Sequence, residues 1–302
     1  YKFLYSIRKI LLYMPKDDKK GVFMKIKFLR FPDFKTKAVT LSYDDGVEQD
    51  IKLVEMMSDY GFKGTFNLNS GCFAKPGTKY SDDTVYDRRL PAKEAISLYK
   101  KHNMEIACHS QTHTFLERLP SSLALEEILS DRCCLEKLAK TTVHGLAYPF
   151  GTYSDETVAA LKAAGIFYAR TTASSGRFSV PTDWLRLNPT CHHNDENLSK
   201  LISEFKDEDV GADPMLFYLW GHSYEFDADK NWNVIEDFFK SLSDRADTWY
   251  ATNIDIYNYV RAYESLDFTL DMNYVHNPSA LDVYILVKGN HVKIPRGKTV
   301  KI

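Results

Sequence analysis

Several absences narrow what this 302-residue sequence can be. Its five cysteines, Cys72, Cys108, Cys133, Cys134 and Cys191, are odd in number and irregular in spacing, so no disulfide framework is expected. Neither charge dominates: 39 basic and 41 acidic side chains leave a formal net charge of -2, too little field to draw a nucleic acid or an anionic membrane. No apolar run is long enough to span a bilayer. The longest near the start, Phe3 to Met14, is broken by Arg8 and Lys9 and precedes no small-residue cleavage site. With Tyr1 as first residue, a removed leader and a natural start at Met24 both stay open, and the expectation is a cytoplasmic protein. Fixed-period repeats and low-complexity tracts are missing too. What is present, 44% hydrophobic residues with 18 Phe and 19 Tyr, is ample core material for a globular chain and excludes disorder or a collagen-like fibre.

From Lys37 onward short apolar runs alternate with amphipathic stretches. Ala38–Tyr43, Thr65–Leu68, Met104–His109, His144–Tyr148, Ile166–Arg170, Met215–Trp220 and Trp249–Thr252 have the pattern of strands. Helical spacing covers Gln49–Tyr60, Pro91–His102, Ser122–Lys140, Ser154–Ala164, Asn197–Lys206, Trp232–Arg245 and Ile254–Glu264, with Gly61 and Gly165 as stops and Pro91 as a start. Such alternation argues for a parallel sheet, either doubly wound or rolled into a barrel, and the count of seven strands favours a barrel of fewer than eight. After Glu264 the period falls to two, in Leu266–Val275, Leu281–Val287 and His291–Ile302. The expected organisation is an N-terminal extension over 1–36, an α/β barrel over 37–265 and a short β-rich appendage over 266–302.

Polar clusters fall where the strands end, the place where barrel loops converge. Asp44-Asp45-Gly46 follows the first strand; its two carboxyl groups cannot point the same way, so one can hold a cation while the other takes a proton. The plain alternative is an acidic turn capping the next helix. His109 and His113 stand four apart, and one helical turn would bring both imidazoles to one side, a spacing suited to a borderline metal. Two histidines and one aspartate leave coordination positions open for water, whose pKa such a site lowers. Tyr148-Pro149-Phe150-Gly151 and Gly221-His222 end two further strands. Tyr148, Phe150, Tyr153, Trp184, Trp220 and Tyr224 gather near the mouth as a glycan-stacking groove or as core, and Tyr80–Arg89 reads as a polar excursion at its rim.

In order and separation, Asp-Asp-Gly, His-Ser-x-x-His, Tyr-Pro-Phe-Gly and the late His222 resemble the polysaccharide deacetylase family, also called NodB-homology or carbohydrate esterase family four, over roughly Lys37 to Glu264. The resemblance implies a distorted (β/α)7 barrel that hydrolyses acetyl groups, N-acetyl first, from an acetylated oligo- or polysaccharide. It assigns Asp44 as catalytic base, and Asp45, His109 and His113 as ligands of one divalent ion, zinc first, with cobalt, nickel, manganese or iron as alternatives. Phe150 becomes the backbone donor to an oxyanion and His222 the general acid. Asp183 and Trp184 become the pair that orients this acid and lines the groove, and Tyr148, Trp220 and Tyr224 the sugar contacts. The family's arginine before the Tyr-Pro motif is replaced by Ala147, so Arg186 or Arg170 must steady the base, with Arg186 preferred. A catalytically silent carbohydrate binder and a hydrolase of non-sugar amides are the competing expectations.

Overall fold

Every residue from Lys37 to Asp44 is buried, the pattern of a parallel strand covered on both faces. The computed structural model describes residues 27–302 apart from 82, 209–212 and 288; Phe3–Met14 and Met24 lie outside the described residues. The order opens with β1 (Lys27–Arg30), β2 (Lys37–Asp44), α1 (Asp50–Asp59), β3 (Gly64–Leu68), α2 (Ala92–Lys101), β4 (Glu105–Cys108) and α3 (Ser121–Ala139). It continues with β5 (Gly145–Ala147), α4 (Asp155–Ala163), β6 (Tyr168–Arg170), β7 (Cys191–His192), α5 (Leu198–Asp207), β8 (Met215–Gly221), α6 (Tyr224–Ala228) and α7 (Trp232–Leu242). Last come β9 (Thr248–Tyr250), α8 (Asn253–Glu264), β10 (Asp267–Phe268), β11 (Tyr274–His276), β12 (Val283–Val287), β13 (Asn290–Ile294) and β14 (Thr299–Lys301).

Strands β2 to β9 form one sheet in which every pairing is parallel. Its hydrogen-bonded path of seven strands runs β6-β5-β4-β3-β2-β8-β7, with β9 added against the start of β2. This is the sheet of the distorted (β/α)7 barrel. All seven expected strands are present; the two-residue β7 and the five-residue α6 are too short to leave a periodic trace in the sequence. Local punctuation works as its chemistry requires. Ser154 and Thr157 cap α4 reciprocally, Pro120 precedes α3, and Lys140 closes that helix in the left-handed conformation.

By compactness the chain divides into two units, residues 37–211 with 215–258, and, among described residues, 27–36, 213–214 and 259–302. The first has the large core. Within it Phe62, fully enclosed, meets Phe239 at 4.8 Å and Tyr250 at 4.7 Å, and Phe66 stacks on Tyr99 at 4.4 Å; each such ring contributes about 1.5–3 kcal/mol by leaving water. The second unit holds two antiparallel three-stranded sheets, β1-β12-β13 and β10-β11-β14, around Leu266, Val275, Val283, Ile285 and Ile294. The run expected as one strand, Leu266–Val275, is instead two strands around a turn. Met272 takes φ 56° and its N–H bonds back to the Thr269 carbonyl, which leaves Leu270 82% exposed rather than on a buried face. No helix among the described residues is long and apolar enough to cross a membrane.

Candidate active site

Register decides which side chains meet. Asp44 lies opposite Asn67 across β2 and β3, Cys108 opposite Leu146 across β4 and β5, Ala147 opposite Arg170 across β5 and β6, and Tyr43 opposite Gly221 across β2 and β8. The residues at and just beyond these strand ends, Asp44, Asp45, Asn67, His109, Arg170 and His222, therefore share one rim of the sheet.

Asp45, His109 and His113 bring one ligand atom each within 4.8 Å of one another. Nε2 of His113 is 3.8 Å and Nε2 of His109 4.0 Å from Asp45 Oδ1. A tetrahedral ion with bonds of about 2.0–2.1 Å needs donors about 3.3 Å apart, so a small contraction closes the site. Two observations show that these residues fit a cation. His109 Nδ1 lies 2.8 Å from the Ala147 carbonyl, which can only accept; the proton is therefore on Nδ1 and the lone pair of Nε2 faces the cluster. Burial, the largest influence, lowers the His109 pKa to about 4, so the ring is neutral at pH 7. The second observation is Asp45 Oδ1, buried without a hydrogen bond. Arg89 Nη1 is 2.9 Å from it, but that nitrogen donates to the Asp45 carbonyl and to Asn69 Oδ1.

The histidines are not joined by a helical turn, contrary to the expectation from their spacing. The chain from His109 to His113 is a loop beyond β4 in which Ser110 (φ 59°) and His113 (φ 55°) are left-handed, and Asp45 itself has φ 83°. These bends swing the rings to 4.8 Å between centroids. The loop is fixed from behind. Asp131 on α3 accepts from the backbone N–H of His109 at 3.0 Å and of Ser70 at 2.7 Å, and Asn69 donates to the carbonyls of His109 and Ser110.

Asp44 is 2% exposed and sits among positive partners. Arg170, fully buried, donates to both its carboxylate oxygens, and Asn67 Nδ2 donates to Oδ1 at 2.8 Å. Burial, the largest influence, would raise the Asp44 pKa, but Arg170 above all, with His222, holds it well below the ordinary carboxylate range. The guanidinium rests 4.5 Å over the Trp220 ring. Arg186 is not brought to Asp44: it pairs with Asp155 at 2.6 Å and Asp183 at 3.0 Å, both exposed. The geometric reason is the register. Arg170 ends β6 directly beside Ala147, so the arginine absent from β5 is supplied by the neighbouring strand.

His222 faces the cluster from the end of β8, with Nε2 3.8 Å from Asp44 Oδ2 and Nδ1 3.4 Å from Glu225 Oε1. Burial opposes its charge, but Glu225 and Asp44 outweigh burial and raise its pKa. Tyr224 stacks on it at 5.1 Å, and Phe150, left-handed at φ 60° and 47% exposed, meets His113 at 4.7 Å. Asp183 makes no hydrogen bond or ion pair with His222 among the described residues; it accepts from Leu185 N and Arg186. Trp184 packs edge-on against Tyr257, which stacks on Phe167, at the end where β6 begins and so away from the carboxylates. Tyr148 is 1% exposed and spends its hydroxyl on the Leu185 carbonyl, a core residue rather than a groove wall. Asn67, Asn69, Asp131, Arg89 and Glu225 form the support that sequence reasoning missed or left unassigned; apart from Asn67 and Asn69 at the end of β3, they come from separate parts of the chain, so no spacing signals them.

A family model described as polysaccharide deacetylase matches residues 32–169. No curated protein sequence matches the chain. Among solved structures, a Mycobacterium smegmatis protein assigned to the polysaccharide deacetylases is similar at 18% identity and TM-score 0.55, over 78% of this chain and 94% of that one. A point mutant of the peptidoglycan deacetylase PdaC from Bacillus subtilis is similar at 17% identity and TM-score 0.50, over 78% and 96%. The match to the Streptococcus pyogenes deacetylase PplD, at 22% identity and TM-score 0.43, covers 49% of this chain and 61% of that one. The family match takes in Asp44, Asp45, His109 and His113, so over residues 32–169 this chain is similar to the polysaccharide deacetylase family.

Proposed function

We propose that this protein is a metal-dependent hydrolase that removes acetyl groups, N-acetyl first, from a carbohydrate. The observation that carries the reading is the pairing of two unlike carboxylates. Asp44 is kept ionised by Arg170, and its neighbour Asp45 turns an unbonded oxygen towards two imidazoles. Asp45, His109 and His113 would hold one divalent ion, zinc first, since neutral imidazole with a carboxylate suits that borderline metal. When bound, such an ion supplies Lewis-acid polarisation of an acetyl carbonyl and of the attacking water.

The chain's own groups do the rest. Asp44 takes the proton of the attacking water, and its depressed pKa keeps it in the accepting form at neutral pH. Phe150, at the left-handed turn after Pro149, offers a backbone donor to the carbonyl oxygen as charge builds there. His222, whose pKa is raised, gives the Nε2 proton to the leaving nitrogen. A silent carbohydrate binder was suggested by the alanine at 147, but Arg170 fills that role on Asp44. Zinc-loaded protein should release acetate from N-acetylated oligosaccharides and lose that activity in Asp44→Asn. Release from simple amides but not from sugars would overturn the carbohydrate assignment, and no release from any acetyl amide or ester would overturn the hydrolase reading.

A further inference from the structure

A second group of metal-type donors stands behind His222: His192, His193 and Glu225 offer three ligand atoms within 4.8 Å of one another. Its far nitrogens face the opposite kind of partner from those of the first group. His109 Nδ1 meets a carbonyl and must bear the proton. His192 Nδ1 instead accepts from the Asn194 backbone N–H at 3.1 Å, so the neutral ring carries its proton on Nε2. His193 Nδ1 lies 3.3 Å from the Tyr43 hydroxyl, which can donate to it and leave the proton on Nε2 there as well. Burial, foremost, lowers the His193 pKa to about 3 and keeps that ring neutral. Both Nε2 atoms then carry protons and stand 3.1 and 3.2 Å from one oxygen, Glu225 Oε2, as ion-pair contacts and not as directed hydrogen bonds, His193 Nε2 being buried without a hydrogen-bond partner. An N–H has no lone pair for a cation, so this triad grips a carboxylate rather than a metal.

Glu225 Oε2 also accepts from the His222 backbone N–H at 3.0 Å, which leaves Oε1 facing His222 Nδ1 at 3.4 Å. That Nδ1 is buried with no closer polar partner, and contacts of this length commonly tighten once substrate is bound. The geometry points to Glu225 as the positioning residue of His222, clamped for that task by His192 and His193. The assignment rests on the acetyl hydrolase reading and deepens it: the task that Asp183 was expected to perform falls to a residue three places after the histidine itself. In the acid form His222 keeps Nδ1–H directed at Glu225 and gives the Nε2 proton to the leaving nitrogen, ending as the neutral Nδ1–H tautomer. The groups that face it are Asp44 from β2 and Asp45 just beyond it, Glu225 and Tyr224 from its own loop and α6, and His192 and His193 at the end of β7.

NMR titration of the His222 imidazole, which needs no turnover, compares wild type with Glu225→Gln. Loss of a carboxylate at this range should lower the His222 pKa by about one to three units. The basic limb of kcat on an N-acetyl sugar should move down with it, at nearly constant KM. His192→Gln should shift both in the same direction by less, and it carries the test should Glu225→Gln fail to fold. An unmoved His222 pKa and kcat profile in these variants overturns the inference. Equilibrium dialysis against zinc should find one ion per chain, lost in His113→Gln and retained in His192→Gln; a second ion that vanishes in His192→Gln also overturns it. The two readings fail separately. Full amide activity in His222→Ala removes the acid role itself, whereas an inactive His222→Ala beside an unaffected Glu225→Gln removes only Glu225.

Discussion

Replacing Arg170 with methionine keeps the side chain's length and apolar reach but removes the charge from a site where both partners are dry: Arg170 is fully buried and Asp44 is 2% exposed. Water cannot enter to take the guanidinium's place, so Asp44 keeps only the Asn67 amide as a hydrogen-bond donor, with imidazole nitrogens at 3.7 and 3.8 Å. Breaking one side of a buried pair in this way costs about 3–5 kcal/mol, because the surviving charge is stranded. The exposed counterpart, Arg186→Met, should cost less than about 1 kcal/mol, as ion pairs in water do. Urea denaturation at pH 7 reads both. The decisive arm is the double variant Arg170→Met with Asp44→Asn, in which no charge is left unpaired. It should recover part of the loss, with a coupling greater than about 1 kcal/mol. A loss below about 1 kcal/mol in Arg170→Met, or strict additivity in the double variant, refutes the argument that a stranded carboxylate is the source.

Four other outcomes follow from the site and its support. His222→Ala should slow hydrolysis of an N-acetyl sugar by about 10²–10⁴ and of an activated acetyl ester much less, since an amine needs a proton to leave; rate assays on both substrates check this, and equal losses would count against it. Asp131→Asn, behind His109 N, should weaken zinc binding by about 10–100-fold without touching a ligand, as measured by competition with a chromogenic chelator. Asp50, fully buried with hydrogen bonds from Ser223, Tyr99 and Val47, has its pKa raised by burial to about 7. The folded state therefore holds this proton where the unfolded chain releases it near 3.8, and the associated stability declines as pH rises through about 4 to 7. Three units bound this at about 4 kcal/mol, so wild type should lose ground to Asp50→Asn between pH 4.5 and 7.5 in urea titrations, on the order of that figure at most. Gly221→Ala would set a methyl group 2.0 Å from His193 Nδ1, so its melting temperature should fall clearly below that of the wild type.

How far the sequence could be read depended on whether neighbours in the chain carry the signal. The seven long strands and seven helices announce themselves by period and punctuation, and Asp44, Asp45, His109, His113 and His222 by lying at strand ends. Arg170 against Arg186 could not be settled that way. Each follows an apolar residue, Ala169 or Leu185, and only the β5–β6 register, with Ala147 opposite Arg170, selects one. The route of the His109–His113 loop was misjudged because an i, i+4 spacing fits a helix as well as two left-handed bends. Trp184 and Tyr148 looked like groove walls because an aromatic residue near a motif reads the same whether it faces sugar or core; burial separates the case of Tyr148, and packing against Tyr257 that of Trp184. Glu225 stands three residues from His222, close enough to be noticed, yet its importance comes from His192 and His193 on another strand.

Asp45, Ser110, His113 and Phe150 all hold a backbone conformation that side chains with a β-carbon resist, each at a cost of about 1 kcal/mol. Together they tax a net folding stability that is only about 5–15 kcal/mol for a typical protein. Selection of heat-tolerant variants from a random library should therefore enrich glycine or asparagine at just these places. On the metal site proposed above, Asp45 and His113 could not accept that exchange and still hold an ion, so thermal hardening that preserved the proposed activity would have two permissive bends, Ser110 and Phe150, and two forbidden ones.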